Sequence, residues 1–205
     1  SRRTFMSAFG SVGASGKGIV TEVGNLEAVS QNGSVHIHNL GALVVGDVNA
    51  TTSGVTASKG DIYIQSSSPT DVIENTVGAG VVQVWAEDDN ELNGGDDAKP
   101  DNVTVKAGVT VQSTGSEVRL LAGDDLIVEA GAIIQGHTQI VMAIDYQVPP
   151  NGDPDALGGK ADLKGTFTAP TITLTGGGQA DEVLVDVVAL NGNTFINGGA
   201  GDDKV

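Results

Sequence analysis

The residues best suited to bind an ion lie near the end of the chain, where glycines twice precede an aspartate. Residues 176–184 read G-G-G-Q-A-D-E-V-L, and residues 197–205 read N-G-G-A-G-D-D-K-V. Glycine can adopt positive φ and turn carbonyl oxygens toward an ion, and aspartate adds a charged oxygen. Calcium prefers such oxygen ligands. The pattern therefore predicts calcium-binding turns, and ordinary Gly-Asp turns without an ion are the alternative.

Both segments fit the frame G-G-x-G-x-D-x-U, where U is a large apolar residue, and this frame resembles the RTX, or haemolysin-type, calcium-binding repeat. Two features depart from that family. Gln179 takes the place of the third glycine. The two copies are also separated by a whole three-strand repeat of this chain, whereas the family's coil has two nine-residue halves. We therefore expect RTX-like corners on a wider coil, over residues 171–205.

The RTX resemblance implies calcium as the cofactor and names its ligands. Asp181 and Asp203 would supply the side-chain oxygens. The remaining members of the implied site are Gly176, Gly178, Gly198, Ala200 and Asp202, with backbone carbonyls of the first four completing the coordination.

Further acidic clusters form a second set of calcium candidates. Asp89 and Asp125 fall at the same phase of adjacent repeats, and stacked carboxylates repel each other unless a cation or a proton intervenes. Solvated acidic loops are the alternative. The set comprises Asp88, Asp89, Asp96, Asp97, Asp124, Asp125, Asp153 and Asp155.

The elements that carry these corners are sequence repeats of about 21 residues, a period typical of solenoids. In the clearest alignment Val82 and Val84 lie under Val118 and Leu120, and Gln112 lies under Gln135. Each copy holds three short alternating apolar runs, which predict strands with one buried face. Such a repeat must stack on a neighbour to bury its apolar stripe. The predicted fold is an all-β parallel β-helix with three strands per rung, right-handed by general preference; a β-sandwich is the alternative.

The chain divides by pattern into four parts. Residues 1–18 are an irregular cap or a partial rung, and residues 19–144 are β-helix rungs with an insertion at 90–101. Residues 145–162 are an acidic Pro/Gly loop, and residues 163–205 are rungs with RTX-like corners. Both insertions leave the coil at the same corner, so they would line up as a ridge. We expect the chain to be a piece of a longer polypeptide.

Composition limits the partners of the chain. Its net charge is -16, with 26 acidic and 10 basic residues, so nucleic acid is a poor partner. No segment reaches the roughly 20 apolar residues of a membrane span. Cysteine is absent, which excludes disulfides and thiolate metal sites.

Two rows of outward-facing side chains are further candidates for a function. His36 and His38 share a strand face and could form a metal pair, although exposed histidines are the simpler interpretation. Thr171, Thr173 and Thr175 form one outward threonine row, which would suggest ice binding only if other rungs repeated it. Because they do not, a solvated strand face is expected.

Residues 33–144 resemble filamentous-haemagglutinin-type repeats of large secreted adhesins, most clearly over residues 117–134. The resemblance implies a structural, non-catalytic segment of a secreted or cell-surface protein. Its partners would be its own continuation or another copy end to end, and a surface receptor or a polysaccharide. The alternative is a carbohydrate-active β-helix enzyme, such as a polysaccharide lyase or a glycosidase. Against it, Arg119 stands beside Glu117, where ion pairing explains it, and Trp85 is the only tryptophan.

Overall fold

The computed structural model of the chain describes residues 2–88, 100–146, 158–185 and 189–205. This part of the chain folds into twenty β-strands, and no helix occurs in it. In chain order the strands are β1 Arg3–Ala8, β2 Ile19–Thr21, β3 Asn25–Ser30, β4 Val35–Asn39, β5 Leu43–Val45, β6 Val55–Ala57, β7 Ile62–Ser66, β8 Thr70–Val72, β9 Thr76–Gly78, β10 Val82–Ala86, β11 Val103–Val105, β12 Thr110–Ser113, β13 Val118–Ala122, β14 Leu126–Val128, β15 Ile133–Gln135, β16 Gln139–Ala143, β17 Lys160–Leu163, β18 Thr166–Thr175, β19 Glu182–Val185 and β20 Ala189–Asn197.

The strands form one continuous parallel sheet that winds into a coil with three faces. The first face stacks β2, β4, β7, β10, β13, β16 and the second halves of β18 and β20. The second face stacks β5, β8, β11, β14, β17 and β19. The third stacks β6, β9, β12, β15 and the first halves of β18 and β20. The predicted parallel β-helix with three strands per rung is confirmed.

The register reproduces the alignment made on the sequence. Val82 pairs with Val118, and Gln112 pairs with Gln135. The same first-face position recurs at Ile140 on the next rung. The repeat that the sequence displays is therefore one complete turn of the coil.

The core runs along the coil axis and is built by alternate residues of every strand. On the first face Ile62, Val82, Val118, Ile140 and Ile172 stack directly above one another and are fully buried. Identical phase on successive rungs is what keeps these side chains in one column, since a shift of one residue would turn every one of them outward. The burial of each side chain in the column therefore depends on the register of its whole strand.

Three segments show more detail than the divisions drawn on the sequence. Residues 1–18 contain β1, which pairs in parallel with β3. Strand β17 begins at Lys160, inside the range assigned to the acidic loop. Residues 46–54 leave the coil between β5 and β6, an excursion that the sequence did not indicate. The described chain has no helix long and apolar enough to cross a membrane.

Candidate functional site

The acidic corner is the column of connections that lead from the first face to the second. Both Gly-Asp segments lie in it, at residues 176–181 and 198–203, above residues 123–125 and above the two points where the insertions interrupt the coil. The structure thus brings together the candidate calcium turns and the described members of the acidic clusters, which are far apart in sequence. Stacking of rungs in constant register is what aligns them.

The two Gly-Asp turns are joined to each other by their aspartates. The Oδ1 atom of Asp203 accepts the N–H of Asp181 at 3.1 Å, from the rung before. The Oδ1 atom of Asp181 accepts the N–H of Gly159 at 2.8 Å, again one rung back. Its Oδ2 atom accepts the N–H of Gly177 at 2.9 Å, within its own turn. Each aspartate therefore links successive turns of the coil.

Glycine is required in these turns by close approach and by backbone conformation. A Cβ on Gly176 would overlap the Asp181 carboxylate and the carbonyl of Gly198. Gly199 and Gly201 have φ of 93° and 126°, a region that side-chain-bearing residues rarely adopt. Glycine thus gives the turn at residues 198–203 its positive φ angles. In the turn at residues 176–181, glycine is needed because a Cβ atom would not fit.

Asp181 is the more deeply buried carboxylate of the pair, at 2 % exposure. Burial raises the pKa of Asp181, the N–H groups of Gly159 and Gly177 lower it, and the charge of Asp203 raises it. The net direction is upward. A buried carboxylate with a second carboxylate nearby is a position at which positive charge would be stabilising.

The oxygen atoms of these turns fit calcium in a site that combines carboxylate and backbone carbonyl ligands. Asp181 and Asp203 offer carboxylate oxygens one rung apart, and the surrounding atoms are backbone carbonyls such as that of Gly198. Across residues 2–88, 100–146, 158–185 and 189–205, no three His, Cys, Asp or Glu side chains converge on one point. Carbonyl oxygens would therefore supply most of the coordination, as the resemblance implied. Asp202 is exposed beside Asp203.

The lower part of the acidic corner uses its carboxylates in the same way. The Oδ2 atom of Asp124 accepts the N–H of Asp101 from the rung before. The Oδ1 atom of Asp125 accepts the N–H of Lys160 at 2.8 Å from the rung after. The Oδ2 atom of Asp145 accepts the N–H of Gly178 at 2.9 Å. The backbone of Asp88 packs against Gly123. Five of the predicted carboxylates lie outside the described residues: Asp89, Asp96, Asp97, Asp153 and Asp155.

A groove on the first face is a feature that the sequence did not indicate. It has a volume of ≈ 600 Å³ and lies between the outward side chains of β4, β7 and β10 and the hairpin at residues 14–17. The hairpin is closed by two hydrogen bonds between Ala14 and Lys17, at 2.9 and 3.2 Å. The period-2 alternation of the sequence predicted that these strand side chains point outward. They line a groove only because the hairpin lies beside them. Its floor consists of His36, Tyr63 and Gln83 in one row and of His38 and Gln65 in a second row, which Trp85 continues.

The rings and amides of this groove are partly engaged with one another. The imidazole of His36 stacks on the Tyr63 ring, with centroids 5.0 Å apart and planes at 16°. Gln65 donates from Nε2 to Oε2 of Glu87 at 2.7 Å. Burial lowers the pKa of His36, although the charge of Asp61 opposes this, and the lowered pKa favours the neutral imidazole. Within the described chain, no third His, Cys, Asp or Glu side chain joins the two histidines in a group that could hold a metal ion.

The remaining outward residues of the first face are as expected from the sequence. Thr171, Thr173 and Thr175 pair with Gln139, Val141 and Ala143, so the threonine row is confined to one rung. Arg119 forms an ion pair with Glu117 on the same strand face.

Comparison of the chain with protein-family models, with curated proteins and with solved structures gave no match.

Proposed function

We propose that this chain is a structural, non-catalytic segment of a long secreted or cell-surface protein, an adhesin stalk or an extracellular filament. The observation that carries the proposal is the continuous parallel sheet around a single axial core. Such a coil grows by about 4.8 Å per rung and can be extended without changing its cross-section. A surface receptor or a polysaccharide would bind along its sides.

We also propose that calcium stiffens the upper end of the coil. It would lie between the turns at 176–181 and 198–203, held by Asp181, Asp203 and the neighbouring carbonyls. The fit of an all-oxygen donor set and the raised pKa of Asp181 support this. Bound calcium would offset the repulsion of the carboxylates and lock two rungs together.

The proposal includes end-to-end contact at strand β20, either with further rungs of the same polypeptide or with another subunit. Ile196 continues an inward column above Leu174 but is 37 % exposed. Phe195 beside it is 61 % exposed and continues an outward row above Thr173. An open strand edge with apolar side chains is a template for pairing with another strand.

Sedimentation velocity over a range of concentrations tests end-to-end contact. We expect the wild-type chain to form oligomers as concentration rises, because pairing extends both the sheet and the core. Ile196→Lys should hold the chain monomeric, since an inward-pointing charge at an edge opposes pairing. Phe195→Lys is the matched control, and it should retain most of the association. A wild-type chain that is monomeric throughout, or variants that behave alike, would contradict the proposal.

A further inference from the structure

The groove on the first face is built mainly from uncharged groups, in a molecule that is strongly acidic overall. Its floor is formed by His36, Tyr63, Gln83, His38 and Gln65, with Trp85 at the end of the second row. Rungs are about 4.8 Å apart and alternate residues about 7 Å apart, so these side chains cover a patch roughly 10 Å long. The volume of ≈ 600 Å³ is that of a small-ligand site.

Two polar atoms near this floor lack a partner. Within the described residues, no hydrogen-bond acceptor or donor reaches Nε2 of His38 or Nε1 of Trp85. His38 Nε2 lies 3.9 Å from Oε2 of Glu87, beyond hydrogen-bond distance. Buried polar atoms are normally paired, so the second row lacks polar partners that a neighbouring group would supply.

The chemistry of the groove selects the class of ligand. Each side-chain amide can both donate and accept hydrogen bonds, which suits hydroxyl groups, and the imidazole ring offers a further polar nitrogen. Trp85 adds ring surface, whose electron-rich face attracts polarised C–H groups. Its ring also contacts that of Tyr146, with centroids 5.9 Å apart and planes at 79°. Among the described residues, Lys17 is the only cationic side chain that lines the groove, whereas Glu87 stands at its edge. An anionic ligand would therefore be poorly held.

We propose that this groove binds a short neutral oligosaccharide, laid along the coil axis over the outward side chains of β4, β7 and β10. Hydroxyl groups would bond to Gln65, Gln83 and His38, and a pyranose ring would pack near Trp85. This site is separate from the acidic corner, and it does not depend on calcium. It would give the proposed structural segment a glycan-binding side.

Fluorescence titration of Trp85, the only tryptophan of the chain, reports directly on the proposed site. The probes are neutral oligomers of glucose, mannose and N-acetylglucosamine, with an oligogalacturonate as the anionic comparison. We expect saturable change with at least one neutral oligomer and none with the anionic one. Absence of saturation with every neutral oligomer, or preference for the oligogalacturonate, would overturn the proposal.

Substitutions in the groove separate binding there from binding elsewhere. Gln65→Ala and Gln83→Ala should each weaken the Kd about tenfold, equivalent to about 1.4 kcal/mol. Thr173→Ala, on the same face three rungs beyond Gln83, is the matched control and should leave the Kd unchanged. Equal Kd values in wild type and both glutamine variants would overturn the assignment. Because these side chains point outward, unchanged unfolding midpoints should accompany each substitution.

Discussion

At the scale of single residues, two carboxylates hold the loop at residues 46–54. Glu27, which is fully buried, accepts the N–H groups of Val48 and Asn49 at 2.8 and 3.1 Å. Glu74 accepts the N–H of Gly54 at 2.6 Å. Carboxylates that accept several backbone N–H groups replace the ladder bonds that a loop outside the sheet cannot make.

Glu27 gives the fold an acid-labile contact. Its burial raises the pKa, but hydrogen bonds from Thr52, Val48 and Asn49 lower it to below its ordinary value. Because the folded pKa lies below the unfolded one, the stabilisation is present above about pH 4.3 and is lost as pH falls through the folded pKa.

Glu27→Gln should destabilise the chain at pH 7 by about 1–3 kcal/mol, because an amide cannot accept on both sides. It should also flatten the loss of stability below about pH 4.3. Urea unfolding across pH measures both effects. Glu22→Gln, at a side chain that is 76 % exposed, is the control and should change little. Equal unfolding free energies for the two variants would contradict the role of Glu27.

At the scale of elements, the alternation within a strand decides which side chain supports the coil. In β15 Ile134 is fully buried, whereas Ile133 is 43 % exposed. Ile134→Ala should lower the free energy of unfolding by about 2–5 kcal/mol through lost burial and a cavity. Ile133→Ala, at the adjacent position of the same strand, should cost much less, within about 1 kcal/mol. Similar losses at both positions in chemical denaturation would show that the register of β15 is different.

Sequence periodicity predicted the coil because every rung must match the phase of the rung on which it stacks. Stacking requires matching phases, so the inward residues, the small residues and the corner aspartates recur together. The pairing of Val82 with Val118 could therefore be inferred from the sequence alone. The loop at residues 46–54 could not, because it occurs once and its anchors Glu27 and Glu74 lie on other parts of the coil.

The groove on the first face was missed for a similar reason. In the sequence His36, His38 and Tyr63 each look like ordinary exposed residues of a strand. They form one wall only because register stacks β4 on β7 and because the hairpin at residues 14–17 folds over them. In the acidic corner, by contrast, both glycine and aspartate recur at the spacing of one rung, so Asp181 and Asp203 could be paired in advance.

At the scale of the whole molecule, the coil concentrates negative charge along one corner of a chain whose net charge is -16. Backbone N–H groups donate to Asp181 and Asp203, yet the charge of Asp203 still raises the pKa of Asp181. Repulsion between these two carboxylates opposes the stacking of their rungs. A divalent cation between turns would convert this repulsion into cohesion, which is why calcium is central to the proposed role.

Thermal unfolding followed by circular dichroism, first with EGTA and then across a calcium titration, tests this claim most directly. Calcium at tenfold above its Kd should add about 1.4 kcal/mol per site, or roughly 3–6 °C in the midpoint. Magnesium should not reproduce the rise. Asp181→Ala and Asp203→Ala should lose most of it, whereas Asp71→Ala, on the second face, should keep it. A wild-type midpoint that is the same in EGTA and in saturating calcium would contradict the account and leave the Gly-Asp turns as purely structural corners.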